Sequence, residues 1–268
     1  MTDRLSIPPP LTGIELHLDP HAHFIYELAL ARLELRTFGG TFEPTATHKS
    51  FRAGRLGNRD ALKQRIAYIT AINEEPTDYA VLRDYNRTQS INQYLTHWIY
   101  PYKGKFHPQM VRALLNIMQL NSDDTVLDPF IGSGTTAGEA QLLNLHCIGV
   151  DISPLCTLVT RVKTESMRII DRVLEYQKQY EVIARTAAKS KVSAPQTGLE
   201  SSDDERVRNF FKVAELIAHS DQSRRGRPFI ESFVRNIKRM SASVRDILEA
   251  SQTMDIPLGS VDIRHGDS

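Results

Sequence analysis

Leu127-Asp128-Pro129-Phe130-Ile131-Gly132-Ser133-Gly134-Thr135-Thr136 is the stretch that decides how this chain is read. Thr125-Val126-Leu127 leads into it as a short apolar strand, and residues 137–145 after it read as helix. Residues 146–150 (HCIGV) read as a second strand, and Pro154 opens a second helix. Strand, glycine turn, helix, strand predicts the βαβ unit of an open parallel sheet. A glycine turn at that place lets backbone approach a ligand, and the first N–H groups of the following helix have no intrahelical acceptor. Asp151 ends the second strand, where a carboxylate can accept hydrogen bonds from both hydroxyls of a ribose. The pattern predicts a nucleoside-containing cofactor at the tips of parallel strands. It differs from the phosphate-binding loop, because no Lys follows the last glycine. It also differs from the dinucleotide fingerprint, because Thr135-Thr136-Ala137 lacks the third glycine.

Upstream, residues 108–120 (PQMVRALLNIMQL) predict an amphipathic helix with Met110, Leu114, Ile117 and Met118 on one side. Residues 24–38 and 60–73 carry two further helical patterns, in a small helical or α+β module spanning residues 1–94 to which no chemistry attaches. Downstream, residues 165–188, 205–218 and 228–250 read as helices. The last carries the stripe Phe229, Phe233, Ile237, Met240, Val244 and Leu248. A Ser-, Ala- and Gly-rich linker is expected at residues 187–204. This helical stretch is longer than an ordinary crossover, so residues 165–258 read as an insertion between the core at 95–164 and a third strand within 259–268.

Of 268 residues 41% are hydrophobic and 24% charged, the balance of a globular chain and not of a disordered or collagenous one. Lys and Arg number 33 against 32 Asp and Glu, so attraction of the whole molecule to nucleic acid is excluded and only a local basic face remains. Such a face is expected from Arg224, Arg225, Arg227, Arg235, Lys238 and Arg239, as contacts to nucleic-acid phosphates. Cys147 and Cys156 make neither a disulfide framework nor a metal-ligand spacing, and the N-terminus lacks an apolar signal core. A cytoplasmic protein without metal or membrane contact is expected. Trp98 and Cys147 read as core residues.

The segment Asp-Pro-Phe-x-Gly-Ser-Gly-Thr-Thr resembles the cofactor signature of the S-adenosylmethionine-dependent amino-methyltransferases that act on DNA at N4 of cytosine or N6 of adenine. Residues 100–109 (YPYKGKFHPQ) and 149–154 (GVDISP) are similar to neighbouring segments of that family. The resemblance implies an α/β fold with a Rossmann-like methyltransferase sheet and S-adenosylmethionine as cofactor. It implies that Lys105, Phe106 and Pro108 border the methionine end. Asp128, Pro129 and the loop residues Phe130, Gly132, Ser133, Gly134, Thr135 and Thr136 would hold the amino-acid portion, Asp151 the ribose and Ile152 the adenine, with Asp267 near the adenine amino group.

The family's catalytic motif, Asp/Asn/Ser-Pro-Pro-aromatic on the fourth strand, is absent. The only adjacent prolines are Pro8, Pro9 and Pro10, followed by Leu11. No catalytic residue is therefore assigned. The expectation is the first half of a methyltransferase sheet, in the N-terminal part of a larger or split enzyme that is inactive alone. Its substrate would be duplex DNA with a flipped-out base, and a second polypeptide would carry the catalytic half. Residues 125–128 would then be an exposed apolar edge. Two other readings stay open. One is a tRNA guanine-N2 methyltransferase, because residues 26–40 resemble the leucine-rich helix ahead of that catalytic domain. The other is a non-catalytic cofactor-binding subunit.

Overall fold

The computed structural model describes residues 13–190 and 203–267, with side chains through residue 184 and again from 203. It divides into two units, Met1–Val81 with Arg112–Gln119, and Leu82–Val111 with Leu120–Ser268. Among the described residues no helix is long and apolar enough to cross a membrane.

The first unit runs β1 (Ile14–Leu18), α1 (Ile25–Thr37), β2 (Gly40–Pro44), β3 (Ser50–Leu56), α2 (Arg59–Arg65), β4 (Ile69–Ile72) and β5 (Glu75–Pro76). The antiparallel sheet order is β2-β3-β1-β4-β5. A βαββαβ chain with β1 and β3 at the centre is the split-βαβ, ferredoxin-like arrangement. The expected helix over residues 60–73 is corrected here. It stops at Arg65, Ile66 turns extended (φ −59°, ψ 137°), and Ile69–Ile72 is a strand. Two wholly buried isoleucines three apart fit a helical stripe as well as a strand, and pairing with β1 (Leu16 opposite Ile72) decides between them.

Next come α3 (Asp78–Asp84) and α4 (Pro108–Ile117). The face of α4 also differs from expectation, since Leu114 and Met118 are exposed while Arg112 and Asn116 are buried. The carbonyls ending α2 need donors. Arg112 supplies Nε to Arg65 O (2.9 Å) and Nη2 to Gln64 O (3.1 Å), and Asn116 Nδ2 also reaches Arg65 O (2.8 Å). The Arg112 guanidinium lies over the Tyr79 ring, 4.9 Å from its centre.

The second unit contains β6 (Thr125–Asp128), α5 (Thr135–Leu142), β7 (His146–Asp151), α6 (Pro154–Glu165), α7 (Ile170–Ser190), α8 (Glu205–Arg225), α9 (Phe229–Thr253) and β8 (Val261–His265). The three strands are parallel in the order β6-β7-β8, as the βαβ reading expects, with Cys147 of the central strand wholly buried. Among the described residues β6 has no neighbour on its outer side, and Leu127 is exposed.

Helices α7, α8 and α9 share an aromatic core in which Tyr180 and Phe211 pack against Phe233. The α9 stripe points into it, with Phe233, Ile237, Met240 and Val244 buried. Trp98 is a core residue as expected, its Nε1 donating to Ser243 Oγ at 2.8 Å. Of the expected linker, residues 187–190 continue α7, Asp204 caps α8 by accepting the Arg206 N–H (2.9 Å), and residues 191–202 lie outside the described residues.

Candidate cofactor site

The loop after β6 is built by short-range bonds. Asp128 Oδ1 accepts the Phe130 N–H at 3.0 Å, folding the chain back where the strand ends. The Ile131 N–H then bonds Val150 O (3.0 Å), and its side chain is buried. Gly132 (φ 52°) and Gly134 (φ 81°) take left-handed conformations. A Cβ on Gly134 would also lie 2.6 Å from Thr160 Cγ2, so both backbone and space require glycine there. Helix α6 receives the loop's carbonyls. Thr160 Oγ1 donates to Gly132 O (3.1 Å) and Lys163 Nζ to Ser133 O (2.7 Å). Thr135 then opens α5, whose first N–H groups lack intrahelical acceptors.

Asp151 stands at the end of β7 with its carboxylate fixed. Oδ2 accepts the Gly132 N–H (2.9 Å) and Oδ1 the Ser153 N–H (2.8 Å). Each oxygen keeps acceptor capacity for a hydroxyl. Sequence reasoning weighed a cap on the helix that Pro154 opens against a ligand for Asp151 and preferred the ligand; in the structure its carboxylate also ties the glycine loop to this strand. The register places Asp151 opposite His265, the Gly266 N–H bonds Asp151 O (3.1 Å), and exposed Asp267 follows. Phe130, Ile152 and Phe106 are 80%, 70% and 63% exposed, an unusual degree for apolar side chains beside a polar loop.

Asp128, Pro129, Phe130, Gly132, Ser133, Gly134, Thr135, Thr136, Asp151 and Ile152 therefore gather at the ends of β6 and β7. Lys105, half-buried, turns its ammonium to His97 O (2.8 Å), and Pro108 is buried as the first residue of α4. Burial pushes the Lys105 pKa down.

Several residues escaped sequence reasoning. Thr160 and Lys163 lie three apart on α6, and the one available signal was a lysine among the buried positions Val159, Val162 and Thr164. Behind the loop, wholly buried Glu139 accepts the Tyr94 hydroxyl and pairs with His97 Nε2 at 2.8 Å. Burial holds His97 below its usual pKa despite that carboxylate. The Cys147 thiol is pushed up to about 12 by burial, which fits an inert core thiol.

The expected basic face is largely paired. Asp221 gathers Arg235 (2.6 Å), Arg225 (2.8 Å) and Arg227 (3.8 Å), and Lys238 reaches Glu181 at 3.4 Å. Arg239 lies over the Trp98 ring, 4.4 Å from its centre, and Arg224 stands exposed.

With this geometry in view, comparison with known proteins is informative. Residues 58–161 match the family model described as DNA methylase, of the N6/N4 type. The type II methyltransferase M.MjaII of Methanocaldococcus jannaschii is 34% identical over 137 residues, 51% of this chain and 23% of that protein. The type II methyltransferase M.BsoBI of Geobacillus stearothermophilus is 33% identical over 127 residues, 46% of this chain and 24% of its own length. A weaker match is the tRNA (guanine(10)-N2)-dimethyltransferase of Methanocaldococcus jannaschii, 30% identical over 97 residues, 36% of this chain and 27% of that protein. The matches span about a quarter of the length of these relatives. They support the DNA amino-methyltransferase family that the glycine loop resembles.

Proposed function

We propose that this segment of the DNA amino-methyltransferase family binds S-adenosylmethionine on the 128–136 loop and serves methyl transfer to an exocyclic amino group of a DNA base, N4 of cytosine or N6 of adenine. The carrying observation is Asp151. Its carboxylate is immobilised by the Gly132 and Ser153 N–H groups at the strand tips, beside the exposed side chains of Phe130 and Ile152. A fixed hydroxyl acceptor next to an apolar wall suits a ribose and its adenine. Ser133 Oγ, buried without a hydrogen-bond partner, and the left-handed glycines are consistent with a loop shaped around a ligand.

When bound, the cofactor supplies an electrophilic methyl group on a sulfonium. The chain's own part is binding and orientation. Asp151 takes the ribose hydroxyls, Ile152 covers the adenine, and Asp267 approaches the adenine amino group. Phe130 lies against the sulfonium side, where Phe106 helps exclude water. Asp128, with the loop through Thr136, holds the amino-acid end, bordered by Lys105 and Pro108.

The acceptor side of the reaction is a Pro-Pro-aromatic strand not found in these 268 residues. In this reading the three strands are the first half of a Rossmann-like sheet. The strand carrying that motif, from a second polypeptide or from further along the same chain, pairs with the open side of β6. Arg224, Arg225, Arg227, Arg235, Lys238 and Arg239 would contact duplex DNA, with the paired ones exchanging Asp221 or Glu181 for phosphate. The match to a tRNA guanine-N2 enzyme favours a second reading, methylation of RNA.

Titration calorimetry tests the cofactor assignment. The chain should bind S-adenosylmethionine. Gly134→Ala, which must fit a Cβ 2.6 Å from Thr160 Cγ2, should bind it at least ~10-fold more weakly while keeping its circular dichroism. A folded wild-type chain that gives no heat would remove the proposal. Methyl transfer by the completed enzyme to duplex DNA or to tRNA separates the two substrate readings.

A further inference from the structure

Lys163 is a buried lysine whose charge is not accounted for. It is 3% exposed. Its Nζ donates to Ser133 O at 2.7 Å, and no carboxylate is among the charges that act on it. The charged group that acts on it is another lysine, Lys105, so burial and like charge both push its pKa well down. A buried lysine amine without a counter-charge favours its neutral form, and an arriving carboxylate restores the charged one. Three observations put the place for such an anion at the glycine loop. Lys163 and Thr160 draw two successive loop carbonyls, those of Ser133 and Gly132, toward α6. The N-terminal N–H groups of the eight-residue helix α5 follow directly. Between them Ser133 Oγ is buried with no partner.

We propose that Lys163 is a positioning residue that turns this loop into a carboxylate site, holding the Ser133 carbonyl against α6 and gaining its charge beside Lys105 as the anion arrives, so that the loop selects the carboxylate at the amino-acid end of its nucleoside ligand. The inference rests on the cofactor reading above and deepens it. It accounts for a buried lysine that lies one turn beyond Thr160, the residue that confines Gly134.

The test compares two nucleosides, S-adenosylmethionine and its decarboxylated counterpart, on wild type and Lys163→Met. Met keeps the unbranched stem and removes the charge. Wild type should prefer the carboxylated nucleoside by about 10-fold or more, and Lys163→Met should lose that preference by weakening S-adenosylmethionine alone. Equal weakening of both nucleosides would mean a purely structural role and would overturn the proposal. Equal affinity of wild type for the two would overturn it without any variant, which covers the case in which Lys163→Met does not fold. Binding of neither nucleoside by folded wild type would instead remove the cofactor reading itself.

Discussion

Glu34 shows what a single residue does to the first unit. Its carboxyl is wholly buried, and it accepts the Ala67 N–H (2.7 Å), the Tyr68 N–H (3.2 Å) and Asn116 Nδ2 (2.7 Å). Three donors favour the charged form, yet burial outweighs them and raises the pKa from 4.5 to about 7. Because the folded-state value is the higher one, the native state binds the proton more tightly. The resulting stability is fully present below about pH 4.5 and is lost as pH rises toward about 7. The loss is on the order of 3 kcal/mol. Urea denaturation of wild type should show a midpoint falling across that window, and Glu34→Gln, destabilised throughout, should show a flatter fall. Parallel pH profiles for the two proteins would refute this role of Glu34. At the same scale, the place of Asp151 at the end of a strand after a glycine loop was legible in the sequence. Its bond to the Gly132 N–H was not, since that bond joins residues brought together only by strand pairing.

At the scale of elements, helices α8 and α9 show why a run of basic residues is a weak guide to a free basic surface. Helical spacing in the sequence places Arg235, Lys238 and Arg239 off the apolar stripe of α9, but not next to Asp221 of α8, which takes up Arg225, Arg227 and Arg235 at once. An acid so placed competes with phosphate. Asp221→Asn should therefore tighten binding to duplex DNA several-fold and steepen the log-affinity against log-salt plot by about one. Fluorescence anisotropy over a salt series measures both, and an unchanged slope would mean that this surface does not touch the backbone of DNA. Helix α4 and strand β4 make the same point for apolar patterns. The sequence put Leu114 and Met118 on the apolar side, but α4 buries Val111 and Leu115 together with Arg112 and Asn116, which satisfy the carbonyls that end α2. Burial of apolar area is worth little if it leaves such groups unpaired.

For the molecule as a whole, the open side of β6 matters most. A parallel strand with one side unpaired among the described residues and an exposed Leu127 is a surface prone to associate. The 268-residue chain alone should transfer no methyl group from labelled S-adenosylmethionine to DNA. Adding a polypeptide that carries the Pro-Pro-aromatic strand should restore transfer. Clear turnover by the chain alone would show that the acceptor-side chemistry lies elsewhere in it.

What could be read from sequence alone was local. The strand, glycine turn, helix and strand at 125–151, the helical stripe of α9 and the resemblance to amino-methyltransferases all depend on neighbours along the chain. Tertiary structure decided the rest. It determined that residues 69–72 pair as a strand, that α4 buries Arg112 and Asn116 beside Val111 and Leu115, that Asp221 pairs with Arg225, Arg227 and Arg235, and that Lys163 lies beneath the loop. Backbone propensity and periodicity act over a few residues. The partners of a buried polar group come from distant segments, and only folding shows which donor meets which acceptor.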